Sequence, residues 1–124
     1  MTQPLALVVY EKLLPGTQLV NRLQDLNYRV RAITDVDTLV ACAEQEKPML
    51  VIADLEATKK NVCDAIGKLR QNPVTQHVPV IAFAPDEATN LQDAARKAGA
   101  VVVASDAAIL NHLPQFLEQA LRVE

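Results

Sequence analysis

Residues 49–56, reading MLVIADLE, constrain this chain more than any other stretch. Pro48 opens the run, and Met49, Leu50, Val51, Ile52 and Ala53 carry no polar side chain. A strand that is apolar on both faces belongs inside a parallel sheet, covered above and below. Parallel neighbours need crossover connections, so helices are expected on either side. The run leads to Asp54. In open parallel sheets the binding crevice lies outside the carboxyl ends of the strands. Asp54 is thus expected at the edge where a carboxylate can do chemistry.

The rest of the chain supplies those crossovers. Residues 5–10 (LALVVY) read as a first buried strand. Pro15 and Gly16 punctuate a turn, and Thr17 is the expected cap of a helix carrying Leu19, Val20, Leu23 and Leu26. Asn27 ends that helix. Residues 28–33 (YRVRAI) alternate apolar with basic, which suggests a strand nearer the sheet edge. Asp35 or Asp37 caps a second helix with Val36, Leu39, Val40 and Ala43 on one face, and Pro48 stops it.

A polar loop, residues 56–60, follows the organising strand. Val62, Ile66 and Leu69 mark a third helix, ending near Asn72 and Pro73. Residues 79–84 (PVIAFA) read as a fourth buried strand. Asp86 is the expected cap of a fourth helix, with Glu87 in its first turn and Leu91, Ala94, Ala95 and Ala98 on its inner face. Gly99 suits the position just past its end. Residues 101–104 form a fifth strand. A final helix carries Leu113, Phe116, Leu117, Ala120 and Leu121, with Asn111 as cap and Pro114 in the first turn.

Five strands alternating with five helices make an α/β fold with a parallel sheet. Right-handed crossovers leave few topologies, and the flavodoxin-like order 2-1-3-4-5 is the commonest for five strands. The expectation is one domain, residues 1–124, built as a three-layer sandwich. That strand order is expected to put the first, third and fifth strands together, with their carboxyl ends facing one crevice. Leu50, Ile52, Val80, Phe83, Val101 and Val103 should be mostly buried.

Composition narrows the function classes. The formal net charge of −3 gives no electrostatic footprint for nucleic acid. No lysine-rich run suggests a membrane surface, and the longest apolar runs are far too short to span a bilayer. No basic segment followed by an apolar one opens the chain, so no secretory leader is expected and a cytoplasmic location is. Cys42 and Cys63 fall inside helical patterns and read as packing thiols, while His77 and His112 lie far from both. There is no glycine-rich phosphate loop after the first strand, no G-x-S-x-G elbow and no histidine at a strand end.

With these pieces in order, the chain resembles the receiver domain of bacterial response regulators along essentially its whole length. The resemblance rests on LVIADLE ending the third strand near an aspartate, HVPVIAFA as the fourth strand, and KAGAVVVAS leading into the fifth. It implies that Asp54 stands at the phospho-acceptor position. An acid pair after the first strand binds magnesium in the family, and here that pair is Tyr10 and Glu11. The hydroxyl residue after the fourth strand is Ala84, and the lysine after the fifth falls on Asp106. The proline after that lysine is Ala107, and the switch aromatic of the fifth strand is Val103.

Phosphoryl transfer is mostly positioning, with charge neutralised by a metal and by cationic groups. Asp106 in place of a lysine turns a stabilising charge into a repelling one, a swing of several kcal/mol at ~4 Å in a surface-like dielectric. Ala84 cannot donate the charge-assisted hydrogen bond that a hydroxyl would, worth roughly 1.5–3 kcal/mol. The reading is a pseudo-receiver: the scaffold kept, the phosphorylation switch discarded, and no enzymatic role.

Glu11, Asp54 and Glu56 offer oxygen ligands that would hold magnesium weakly at best, and no cofactor is required. Lys59 and Lys60 could neutralise this cluster, and Tyr10 could stack on a ligand or pack its ring. The expected partner is a signalling or regulatory protein, with the fourth helix, fifth strand and fifth helix as contact surface, for a partner or for a homodimer. Ile109 and Leu110 are expected to add apolar side chains there. Two alternatives stay open, a phosphorylatable receiver using Asp54 and a small-ligand-binding flavodoxin-like domain.

Overall fold

In the computed structural model, which describes residues 4–10, 13–56 and 62–122, all five residues of β3 (Leu50–Asp54) are buried. β3 sits in the middle of a five-stranded sheet with β1 (Leu5–Val9), β2 (Arg29–Ile33), β4 (Val80–Ala84) and β5 (Val102–Ser105). The strand order is β2-β1-β3-β4-β5 and every pairing is parallel. This is the expected flavodoxin-like sheet. β1 and β3 are neighbours as expected, but β4 stands between β3 and β5.

Six α-helices complete the layers among the described residues: α1 (Leu13–Asp25), α2 (Leu39–Glu46), α3 (Val62–Gln71), α4 (Thr89–Ala98), α5 (Asp106–Asn111) and α6 (Leu113–Arg122). Alternate residues of each strand face opposite layers. Val8, Ile52, Ile81 and Phe83 pack against Leu19 and Leu23 of α1, Ile109 of α5, and Leu113 and Leu117 of α6. Leu7, Val51, Val80 and Ala82 pack against Leu39 of α2, Ile66 and Leu69 of α3, and Ala95 of α4. Fully burying one such large side chain contributes roughly 1.5–3 kcal/mol, and the double-sided core is what holds the sandwich.

Several element ends differ from expectation, each for a local reason. α1 begins at Leu13, so Thr17 lies inside it and does not cap it. Pro15 and Gly16 are accommodated because the first four helical N–H groups need no intrahelical partner. Asn27 ends the α1 region at φ 70°, a left-handed value asparagine tolerates. Asp35 is the acid that caps, accepting the Asp37 N–H at 3.0 Å, but the element it opens is a 3-10 turn over Val36–Thr38 ahead of α2. Met49 lies outside β3 and is 47% exposed.

Asp86 does not cap α4. The Ala88 N–H closes a turn on the Pro85 carbonyl at 2.9 Å, and the helix starts only at Thr89. Gln92 Nε2 donates to the same carbonyl at 3.1 Å. Val101 and Val103 are half-buried rather than core residues, because β5 is an edge strand. Val102 and Ala104 take the core positions on the α1, α5 and α6 side.

The last helical stretch is divided. α5 runs to Asn111 and α6 starts at Leu113, so Asn111 ends a helix instead of capping one. Pro114 explains the division: it has no N–H to give the Leu110 carbonyl, and its ring would collide with that carbonyl in a continuous helix. As expected, Pro114 falls in the first turn of α6. The fifth helix of the sequence pattern is therefore α6, and α5 is an additional turn of helix.

Candidate functional site

Asp54 ends β3 at the carboxyl edge of the sheet and is 3% exposed. Its Oδ1 accepts the Glu56 N–H at 2.9 Å. This Asx-type bond turns the chain out of the strand. The Leu55 N–H donates to the Phe83 carbonyl at 2.9 Å, carrying the β3–β4 ladder past the aspartate. Asp54 and Phe83 are register partners, so Ala84 lies one residue beyond Asp54 on the adjacent strand. Ala84 is fully buried and pairs in register with Ser105 on β5.

Ser105 both ends β5 and caps α5, its Oγ accepting the Ala108 N–H at 3.1 Å. Asp106 occupies the first turn of α5. An acid is favoured there by the helix dipole. The three adjacent strands β3, β4 and β5 therefore lead out through an acid, a methyl and an acid. The cap role of Ser105 was missed in the sequence, although a serine followed by an acid ahead of apolar residues is a helix-start signal.

The other candidates fall into place unevenly. Tyr10 follows β1, donates its N–H to the Ile33 carbonyl at 3.1 Å, and packs a half-buried ring against the α1, α5 and α6 side of the core. Val103 is half-buried against the opposite core face, beside α4. Ile109 is fully buried, so it is unavailable to any partner. It sits inside the core because α5 lies flat on β4 and β5. Leu110 is half-buried on the same core.

Of the oxygen set read from the sequence, Asp54 meets Glu56 through the Glu56 backbone N–H, and Glu56 is exposed. Glu11, Lys59 and Lys60 lie outside the described residues. Among the described residues no group of three or more histidines, cysteines, aspartates or glutamates is placed to hold a metal ion. Cys42 and Cys63 are buried and unbridged. The Cys63 thiol faces the Leu91 carbonyl at 3.9 Å, and burial pushes its pKa up. No helix among the described residues is long and apolar enough to cross a membrane.

No protein-family model matches the sequence, and no curated protein matches it. Solved structures do match. A protein from Chloroflexus aurantiacus J-10-fl regarded as a response regulator superposes with a TM-score of 0.89 at 17% identity, over 98% of this chain and 99% of that one. The receiver domain of the sensor histidine kinase PA1611 from Pseudomonas aeruginosa PAO1 gives a TM-score of 0.86 at 19% identity, covering 98% and 99%. That domain was solved with a magnesium ion coordinated in its active site cleft. The chemotaxis protein CheY4 of Vibrio cholerae gives 0.84 at 16% identity, covering 97% and 100%. From its strand order to its two-sided core, this chain has the fold of response-regulator receiver domains.

Proposed function

We propose that this chain is a pseudo-receiver, a single receiver-like domain that binds a signalling or regulatory protein without being switched by phosphorylation. The observation that carries the reading is the carboxyl edge, where Asp54, the fully buried Ala84 and Asp106 follow one another across β3, β4 and β5. A phosphoryl group on Asp54 would bring about two negative charges at neutral pH. Ala84 has no hydroxyl to receive its oxygens, and the end of β5 presents a carboxylate instead of an ammonium. The role is non-enzymatic, and magnesium is not needed for it.

The contact surface in this proposal is formed by α4, β5 and α6, with half-buried Val103 at its centre and without Ile109. The same face would serve a homodimer. The test compares variants in capture of the native partner after crosslinking in the source cell. Lys97→Glu and Val103→Glu should abolish capture while retaining the native circular dichroism spectrum, and Asp54→Ala should leave it unchanged. Capture lost in Asp54→Ala and kept in the two surface variants would sink the reading.

A further inference from the structure

The sheet has a second bare edge, far from Asp54. β2 is the outermost strand on the other side. Its ladder to β1 uses alternate residues: the Arg29 N–H donates to the Pro4 carbonyl at 2.8 Å, and the Ile33 carbonyl accepts the Tyr10 N–H at 3.1 Å. In a parallel pair this leaves the backbone groups of Val30 and Ala32 directed away from the sheet. Such a row of N–H and C=O groups is a template for one more strand. An open groove of about 520 Å³ lies at the amino-terminal part of this edge, lined by Gln24, Tyr28, Arg29, Val30, Arg31 and Glu46 among others.

The two sides of the groove differ in chemistry. Arg29 and Arg31 are exposed and share one face of β2, since side chains alternate along a strand. Arg31 pairs with Glu46 of α2 at 2.9 Å, both side chains being largely in solvent at 58% and 40% exposure. An exposed pair of this kind is easily exchanged. On the other face, half-buried Tyr28 and Val30 pack against the core. Burial pushes the Tyr28 phenol up from its ordinary value.

We propose that the β2 edge is a β-augmentation site for an extended segment that alternates acidic and apolar residues. Its backbone bonds Val30 and Ala32. Its acids lie across from Arg29 and Arg31, and its apolar side chains cover Tyr28 and Val30. Opposite charges directly across a ladder stabilise pairing, and like charges oppose it. That same rule disfavours two of the three self-pairing registers: antiparallel pairing centred on Arg31 sets Arg31 against Arg31, and centred on Val30 it sets Arg29 against Arg31, whereas centred on Ala32 it sets Arg31 against Ile33 with no like charges opposed. The two exposed arginines on one face commit the edge to a partner of opposite charge, and a second copy is the competing outcome of the test.

The probe is a capped synthetic peptide alternating valine and glutamate, labelled and titrated onto the whole chain at low salt, with a valine–lysine peptide as control. The glutamate peptide should bind and slow amide exchange at Val30 and Ala32, and the lysine peptide should not bind. Arg29→Glu/Arg31→Glu should weaken binding roughly tenfold or more. Glu46→Gln, which removes the competing carboxylate, should tighten it. Ala32→Pro removes one outward N–H at a position where an edge strand accepts proline, and should weaken binding while the fold persists. Equal binding of both peptides, no binding of either, or binding unaffected by Ala32→Pro would overturn the proposal. So would a concentration-dependent dimer that Ala32→Pro abolishes, since the edge would then belong to a second copy.

Discussion

Ala84 at the end of β4 is the register partner of Ser105 at the end of β5, and Ala84 has no exposed surface. In the proposed pseudo-receiver this is the position where a hydroxyl would meet a phosphoryl group, and here it holds a fully buried methyl. Ala84→Thr adds a methyl and a hydroxyl to that space. The expected result is a loss of about 1–3 kcal/mol from overpacking, read as a lower urea midpoint with unchanged slope. A neutral or stabilising Ala84→Thr would mean the carboxyl edge retains room for a side-chain donor.

Ser105 is the other half of that relationship. Its Oγ receives the Ala108 N–H and starts α5. Ser105→Ala should cost about 1 kcal/mol, and Ser105→Asp should restore most of it, because an aspartate accepts the same bond. Chemical denaturation of the three proteins decides this, and equal stabilities would remove the cap from the account.

The fold was legible where the chemistry is local and repeated. The run from Leu50 to Asp54 had to be a doubly covered strand, and the alternation around it left one common topology. Element ends were less legible because they depend on which of several capping groups wins. Asp86 and Thr17 looked like caps, but a turn closed on Pro85 and an earlier helix start took their places. The burial parity of β5 was misread because three successive valines show no alternation, and only the edge position tells Val102 from its neighbours. Solved receiver folds match at 16–19% identity, so the likeness to them is one of fold.

Gly99 punctuates the end of α4. It sits at φ 121°, and a Cβ there would lie 2.5 Å from Arg70 Cγ. Gly99→Ala is expected to lower stability by about 1–2 kcal/mol from the backbone alone. In an Arg70→Ala background the penalty should shrink without vanishing, since only the steric part is relieved. A melting series of the four proteins measures both parts, and a full disappearance would place the whole cost on Arg70.

Cys63 gives a pH signature. Burial holds its thiol above the ordinary value, so the folded protein keeps a proton that the unfolded chain has begun to release. The stability this contributes is fully present below the unfolded thiol's value of about 8.5 and is lost as pH rises through the folded one. Unfolding free energy should therefore fall between neutral and alkaline pH, and fall less in Cys63→Ala. Parallel slopes for the two proteins would contradict the assignment.

In the proposed pseudo-receiver, Asp54 stands at a phospho-acceptor position without the groups that make acceptance productive. Transfer needs its developing charge neutralised and its oxygens held. In the proposed reading Asp106 would repel where a cation would attract, and Ala84 has no hydroxyl to donate. The direct measurement is intact mass after incubation with magnesium and acetyl phosphate. No phosphoryl adduct is expected in the wild type, and none in Asp54→Asn. A stoichiometric adduct in the wild type that disappears in Asp54→Asn would show a working acceptor and contradict the pseudo-receiver reading.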